Sequence, residues 1–128
     1  MVPIRAYVVE DHEDMRFLLL SLLERSFANI EIVGESETAE NALKEITGLH
    51  PTLILVDISL PGISGIEMIR RLRPLCLAVL ILVVTGHEVD LYRAEALAAG
   101  ANDIVSKGDL SSLIEKIRFL TSNQSQSE

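Results

Sequence analysis

An α/β domain, with a doubly wound five-stranded parallel sheet covered by helices on both faces, is the fold class this chain predicts. Strand-like and helix-like segments alternate five times along it, the order of a repeating β-α unit. Three of the strand-like runs are apolar at consecutive positions, as burial on both faces of a strand requires. At 128 residues the chain has the length of one domain with room for a sizeable core.

The first strand is expected near Ile4–Glu10. A helix follows in which Met15, Leu18, Leu19, Leu22 and Leu23 make an apolar stripe, with Glu13 and Asp14 placed to favour the positive end of its dipole. The second strand falls near Glu31–Glu35 and the second helix near Thr38–Ile46, with Ala39, Ala42, Leu43 and Ile46 on one side. Leu53–Asp57 reads as the third strand. Ser64-Gly65-Ile66-Glu67 reads as a capping box opening the third helix, which ends before Pro74 because proline cannot continue it. The fourth strand is Val79–Thr85, and the Ala-rich fourth helix, Val89–Ala99, stops at Gly100, a residue suited to a left-handed C-terminal cap. After a fifth strand at Asp103–Ser106, Leu110, Leu113, Ile114, Ile117 and Leu120 recur at helical spacing behind an Asp109 cap. Residues 1–121 form the domain. Ser122-Asn123-Gln124-Ser125-Gln126-Ser127-Glu128 has nothing to bury, so residues 122–128 are expected to form a disordered tail or the start of a linker.

Composition narrows the function. A formal net charge of -8 argues against a nucleic-acid or anionic-membrane surface, and the domain is expected to bind neither; the acid attracts a cation instead. Trp is absent and Tyr7, Phe17, Phe27, Tyr92 and Phe119 are the chain's only Phe and Tyr residues, so the core is expected to be aliphatic. Cys76 is the single cysteine; between Leu75 and Leu77 it reads as a small buried hydrophobe in a reducing compartment. The longest apolar run, Leu75–Val84, falls short of the roughly 20 residues that span a bilayer, and the N-terminus lacks a basic region followed by an apolar core. A cytoplasmic location is expected.

In a flavodoxin-like strand order, 2-1-3-4-5, ligands bind beyond the carboxyl ends of the strands, where the order reverses between strands 1 and 3. Glu10 and Asp11 end the first of these strands and Asp57 ends the other. Carboxylates crowded at one edge repel one another, so either some stay protonated or a divalent cation settles among them. Hard oxygen donors suit Mg²⁺, which needs one or two carboxylates and keeps several waters. Thr85 and Lys107 close strands 4 and 5. A carboxylate nucleophile flanked by a metal and an ammonium supplies the electrostatics of phosphoryl transfer, and a hydroxyl such as Thr85 can hydrogen-bond the attached group. Taken singly, each residue has a plainer reading: Asp57 a turn cap, Glu10 an edge carboxylate, Thr85 a strand terminus, Lys107 a solvated lysine.

Glu10-Asp11, Asp57 with Pro61-Gly62 behind it, Thr85-Gly86, Ala98-Ala99-Gly100-Ala101 and Lys107, in that order, resemble the receiver domain of two-component response regulators across nearly the whole chain. The resemblance implies that Asp57 accepts a phosphoryl group from a sensor histidine kinase or phosphotransfer protein. It implies that Asp11 ligates Mg²⁺, that Glu10 helps through water, and that the Ser59 backbone carbonyl completes the protein ligands. It implies further that Lys107 pairs with the phosphoryl oxygens while Thr85 moves toward them, altering a surface of helix 4, strand 5 and helix 5 that can meet an effector domain or a second copy. Two departures stand out. Ile104 occupies the place of a frequent aromatic, and Lys107-Gly108 replaces a common Lys-Pro step. His12 and His50 read as loop residues, whereas His87 falls, by the resemblance, near the phosphoryl group or in a solvated loop. Two rivals follow: a receiver-like interaction module independent of phosphorylation, and an Asp-nucleophile phosphatase. The latter pattern wants a second Asp two residues after Asp57, where Ser59 stands, and no Walker-type or G-x-G-x-x-G loop occurs.

Overall fold

A computed structural model describes residues 2–126. Five parallel strands, β1 (Ile4–Val9), β2 (Ile30–Ser36), β3 (Leu53–Val56), β4 (Leu80–Thr85) and β5 (Asp103–Ser106), form one sheet in the order β2-β1-β3-β4-β5. The helices are α1 (Glu13–Ser26), α2 (Ala39–Leu49), α3 (Gly65–Leu72), α4 (Val89–Ala99) and α5 (Leu110–Gln126), with one 3₁₀ turn at Arg73–Leu75. The fold class and strand order are those the sequence predicts.

Strand side chains alternate between two cores. Tyr7, Val9, Ile54, Val56, Ile81 and Val83 face α2, α3 and α4, where they meet Ala42, Ile46, Ile69 and Ala96. Ala6, Val8, Leu53, Leu55, Leu82 and Val84 face Leu19 and Leu23 of α1 and Leu113 and Ile117 of α5. A parallel sheet sandwiched this way leaves its inner strands β3 and β4 no solvent face, which is why they read as unbroken apolar runs. At the outer strand the register shifts between Ala6 and Tyr7. The Tyr7 ring there crosses Gly34, where an added Cβ would lie 2.6 Å from a ring carbon.

Local signals place the helix ends. Thr38 caps α2 by accepting from the Asn41 amide, and His50 closes that helix at φ 52°, a left-handed cap. Ser64 accepts from the Glu67 amide at 3.1 Å, but Glu67 turns outward to Arg70 and Arg71, so only half of the expected capping box forms. Asp109 accepts from the Ser112 amide at 3.2 Å at the start of α5. Gly100 ends α4 at φ 124°.

Three expectations are corrected. Leu18 is exposed, and the side chains of α1 that pack inward are Met15, Leu19, Leu20 and Leu23. Cys76 is only half-buried; Leu75 and Leu77 beside it are 68 % and 80 % exposed, because the 3₁₀ turn breaks the apolar run before β4 begins. Helix α5 continues to Gln126 through residues expected to lie in a tail, a stretch with no proline or glycine to stop it; Ser127 and Glu128 lie outside the described residues. No helix among the described residues is long and apolar enough to cross a membrane.

Candidate functional site

Strand ends build the site. The Glu10 amide donates to the Ser36 carbonyl at 3.0 Å, the Asp57 amide to Val9 at 3.1 Å and the Lys107 amide to Thr85 at 2.8 Å, so each residue is held as the ladder runs out. Glu10 and Asp57 are 1 % and 5 % exposed, and Thr85 is fully buried. Lys107 spans the edge from β5: its Nζ lies 2.8 Å from Glu10 Oε1 and 2.9 Å from Asp57 Oδ2. Burial opposes the ammonium's charge, but its hydrogen bonds to Glu10 and Asp57 outweigh that and hold its pKa above the usual lysine value.

The carboxylates retain unused capacity. Asp57 Oδ1 and Asp11 Oδ1 are buried without a hydrogen-bond partner, while Glu10 Oε2 accepts from the His12 amide at 3.1 Å. Buried carboxylate oxygens in that state are costly unless a cation or donor meets them. Glu10, Asp11 and His12 each bring a donor atom within 4.8 Å of the others. The His12 ring is largely exposed, with Nδ1 3.6 Å from both Glu10 and Asp11. Backbone packing fixes Asp57 from the other side. Gly65 opens α3 directly against it, and a Cβ at Gly65 would lie 1.9 Å from the Asp57 carbonyl oxygen.

The remaining expected residues are linked through His87. Thr85 Oγ1 accepts from the His87 amide at 3.0 Å. The Ser59 hydroxyl lies 2.6 Å from His87 Nε2, joining the loop after β3 to the loop after β4. The His87 ring also sits 5.4 Å from that of Tyr92 in α4. Ile104, at the position where an aromatic is frequent, is buried in the core. Reading by strand ends finds Glu10, Asp57, Thr85 and Lys107 but misses Arg16, whose Nη1 donates to the Glu10 carbonyl at 2.8 Å from within α1.

An open α/β domain with an acidic pocket and an ammonium at its topological reversal point belongs to the class that works on a ligand beyond the carboxyl edge of the sheet. The family profile of the response regulator receiver domain matches residues 6–118, and the chain belongs to that family. It is 31 % identical over 122 residues to the response regulator GacA of Pseudomonas viridiflava, covering 94 % of this chain and 56 % of that protein. It is 32 % identical over 103 residues to the positive transcription regulator BvgA of Bordetella pertussis, covering 80 % of this chain and 48 % of the relative. The chain thus spans about half the length of these curated relatives. A LuxR-family two-component response regulator from Aurantimonas superposes with a TM-score of 0.88 at 30 % identity, over 94 % of this chain and 86 % of that one. A CheY-like receiver domain from Methanospirillum hungatei matches all of both chains at a TM-score of 0.85 and 25 % identity. The family is one of signalling domains, which supports a phosphorylation-dependent signalling role.

Proposed function

We propose that Asp57 is the phosphoacceptor of a signalling switch, charged by a sensor histidine kinase or phosphotransfer protein, with Mg²⁺ held by Glu10, Asp11, Asp57 and the Ser59 carbonyl. The observation that carries the reading is the Lys107 ammonium bridging Glu10 and Asp57 while Asp57 Oδ1 has no hydrogen-bond partner. One oxygen of the acceptor is thereby anchored and the other is left to attack. The donor set fits magnesium: Asp11 Oδ1 and Asp57 Oδ1 are hard oxygens, buried and without a hydrogen-bond partner. When bound, Mg²⁺ would neutralise charge on the phosphoryl oxygens.

In the transfer, Asp57 Oδ1 forms a bond to phosphorus as the donor's P–N bond breaks. The electron pair leaves with the imidazole nitrogen of the donor, which takes up a proton. Lys107 then turns its ammonium toward a phosphoryl oxygen. Thr85 couples the event to α4: rotation of its hydroxyl toward the phosphoryl group drags the His87 amide that it holds, and with it the ring that meets Ser59 and Tyr92. Tyr92 thus supplies the aromatic that position 104 lacks. The affected surface comprises α4, β5 and α5, and it serves an effector domain or a second copy of the chain. An effector that binds DNA is in keeping with the transcription regulators and the LuxR-family protein among its relatives.

Incubation with Mg²⁺ and a small acyl phosphate, followed by intact mass, tests the reading. The parent is expected to gain one phosphoryl group and Asp57→Asn none. A parent that gains nothing supports a phosphorylation-independent module, and sustained turnover of unrelated phosphomonoesters supports a phosphatase.

A further inference from the structure

Arg16 is poorly placed by local rules. It lies in the N-terminal part of α1, where the helix dipole favours acids such as Glu13 and Asp14 and disfavours a cation. Its side chain is nonetheless only 12 % exposed. The guanidinium reaches off the helix: Nη1 donates to the Glu10 backbone carbonyl at 2.8 Å, Nε meets Glu35 Oε1 at 2.9 Å, and Nη2 lies 3.5 Å from Glu37 Oε1. Glu35 sits near the end of β2, next to Ser36, whose carbonyl accepts the Glu10 amide. Glu10 is therefore gripped at both backbone polar groups, its N–H by β2 and its C=O by Arg16. Its carboxylate is held in turn by Lys107 and the His12 amide. The backbone that this grip fixes is the one leading directly into Asp11.

We propose that Arg16 is a positioning residue for the acidic pocket, holding the Glu10-Asp11 turn in the geometry that accepts a divalent cation. The inference rests on the magnesium reading above. Arg16 touches the peptide carbonyl between the two acids and neither carboxylate, so it acts through backbone placement. Simple electrostatics predicts the opposite effect. Removing a cation beside a negative pocket makes the pocket more attractive to Mg²⁺, whereas loosening the turn scatters the ligands and weakens binding. Lysine retains the charge but not the planar fork that spans the carbonyl and both glutamates.

Calorimetric titration with Mg²⁺ of the parent, Arg16→Met, Arg16→Lys, Arg5→Met and Asp11→Ala separates these possibilities. Arg5 offers a matched control, since it also pairs with a β2 glutamate, Glu31, and donates to the Leu49 carbonyl, away from the pocket. Both Arg16 variants are expected to raise Kd for Mg²⁺ roughly tenfold, the order seen when a group orienting a metal ligand is lost, with Arg5→Met unchanged. In chelator, amide exchange at Glu10 and His12 is expected to quicken in both Arg16 variants and not in Arg5→Met. An Arg16→Met that binds Mg²⁺ as tightly as the parent or more so, or unchanged exchange at those amides, overturns the proposal. A parent that takes up no Mg²⁺, or takes it up equally after Asp11→Ala, defeats the metal reading itself and the positioning role with it.

Discussion

Lys107 shares one ammonium between two nearly buried carboxylates, and that sharing has a pH signature. Its folded-state pKa lies above the ordinary lysine value, with burial opposing the rise and Glu10 and Asp57 producing it. A group raised on folding lends stability that is complete below the unfolded pKa, about 10.4 for lysine, and is lost as pH climbs through the folded value. Lys107→Met is expected to cost roughly 3 kcal/mol near neutrality, since it strands two buried charges. Its penalty relative to the parent should shrink as pH rises above about 10.4, read from urea midpoints across that range. Tyr7, whose pKa is raised by burial and by its bond to Glu45, loses stabilising character in the same direction. It is present in both chains, so the difference isolates Lys107. A penalty that stays constant through the alkaline range would refute the shared-ammonium account. Glu10, Asp57 and Lys107 are legible in sequence because a polar residue ending an apolar run has one place to be in a parallel sheet. The Ser59 to His87 contact is not, since it depends on how two loops fold toward each other. Arg16 is hidden for another reason: on a helical pattern it is an ordinary polar-face residue, and only the docking of α1 beside β2 turns it toward the Glu10 carbonyl.

Among the elements, α4 meets the site through a ring contact, that of Tyr92 with His87. Ile104 is buried and has no polar tip to report a rotation, whereas Tyr92 lies half-buried on α4 against the ring of His87. Tyr92→Leu is therefore expected to leave phosphoryl uptake by Asp57 intact while removing most of the change in amide exchange across Val89–Ala99 that a phosphoryl mimic induces. An undiminished change would route the signal through the backbone of the β4–α4 loop instead. Helix signals themselves vary in legibility. Thr38 and Asp109 act as caps because their short side chains reach the amide three residues on. The Leu18 error arises because Leu18, Leu19 and Leu22 all satisfy a three- or four-residue repeat, and the 100° step alone does not choose which edge of a wide stripe meets the sheet. The Leu75–Val84 run misleads by hiding a 3₁₀ turn, where Pro74 stops α3 and two leucines are left outside.

Across the whole molecule, the acidic pocket and the Arg73 clamp occupy opposite edges of the sheet. At the amino edge Arg73 donates to the carbonyls of Gly100, Cys76 and Val79 and to Asn102 Oδ1, while Asn102 Oδ1 also accepts from the Ile81 amide. This ties the end of α3 to the turn before β5, and burial lowers the pKa of the guanidinium that does so. At the carboxyl edge, by contrast, Asp11 keeps a buried oxygen without a hydrogen-bond partner in a chain of net charge -8. The clamp should therefore govern stability alone and the acidic edge should trade stability for ligand capture. Arg73→Met is expected to cost about 2 kcal/mol through carbonyls left unpaired, on the order of 8 °C in midpoint, with the response to Mg²⁺ preserved. Asp11→Ala is expected to raise the midpoint in chelator by about 4 °C, through roughly 1 kcal/mol of relieved repulsion. It should also abolish the rise of about 1.4 kcal/mol that the parent shows at tenfold excess of Mg²⁺ over Kd. Thermal scans of the three chains in chelator and in Mg²⁺ measure all of these together. A lower midpoint for Asp11→Ala in chelator, or a lost magnesium response in Arg73→Met, would show that the two edges are not separable and that the acidic pocket is part of what holds the sheet together.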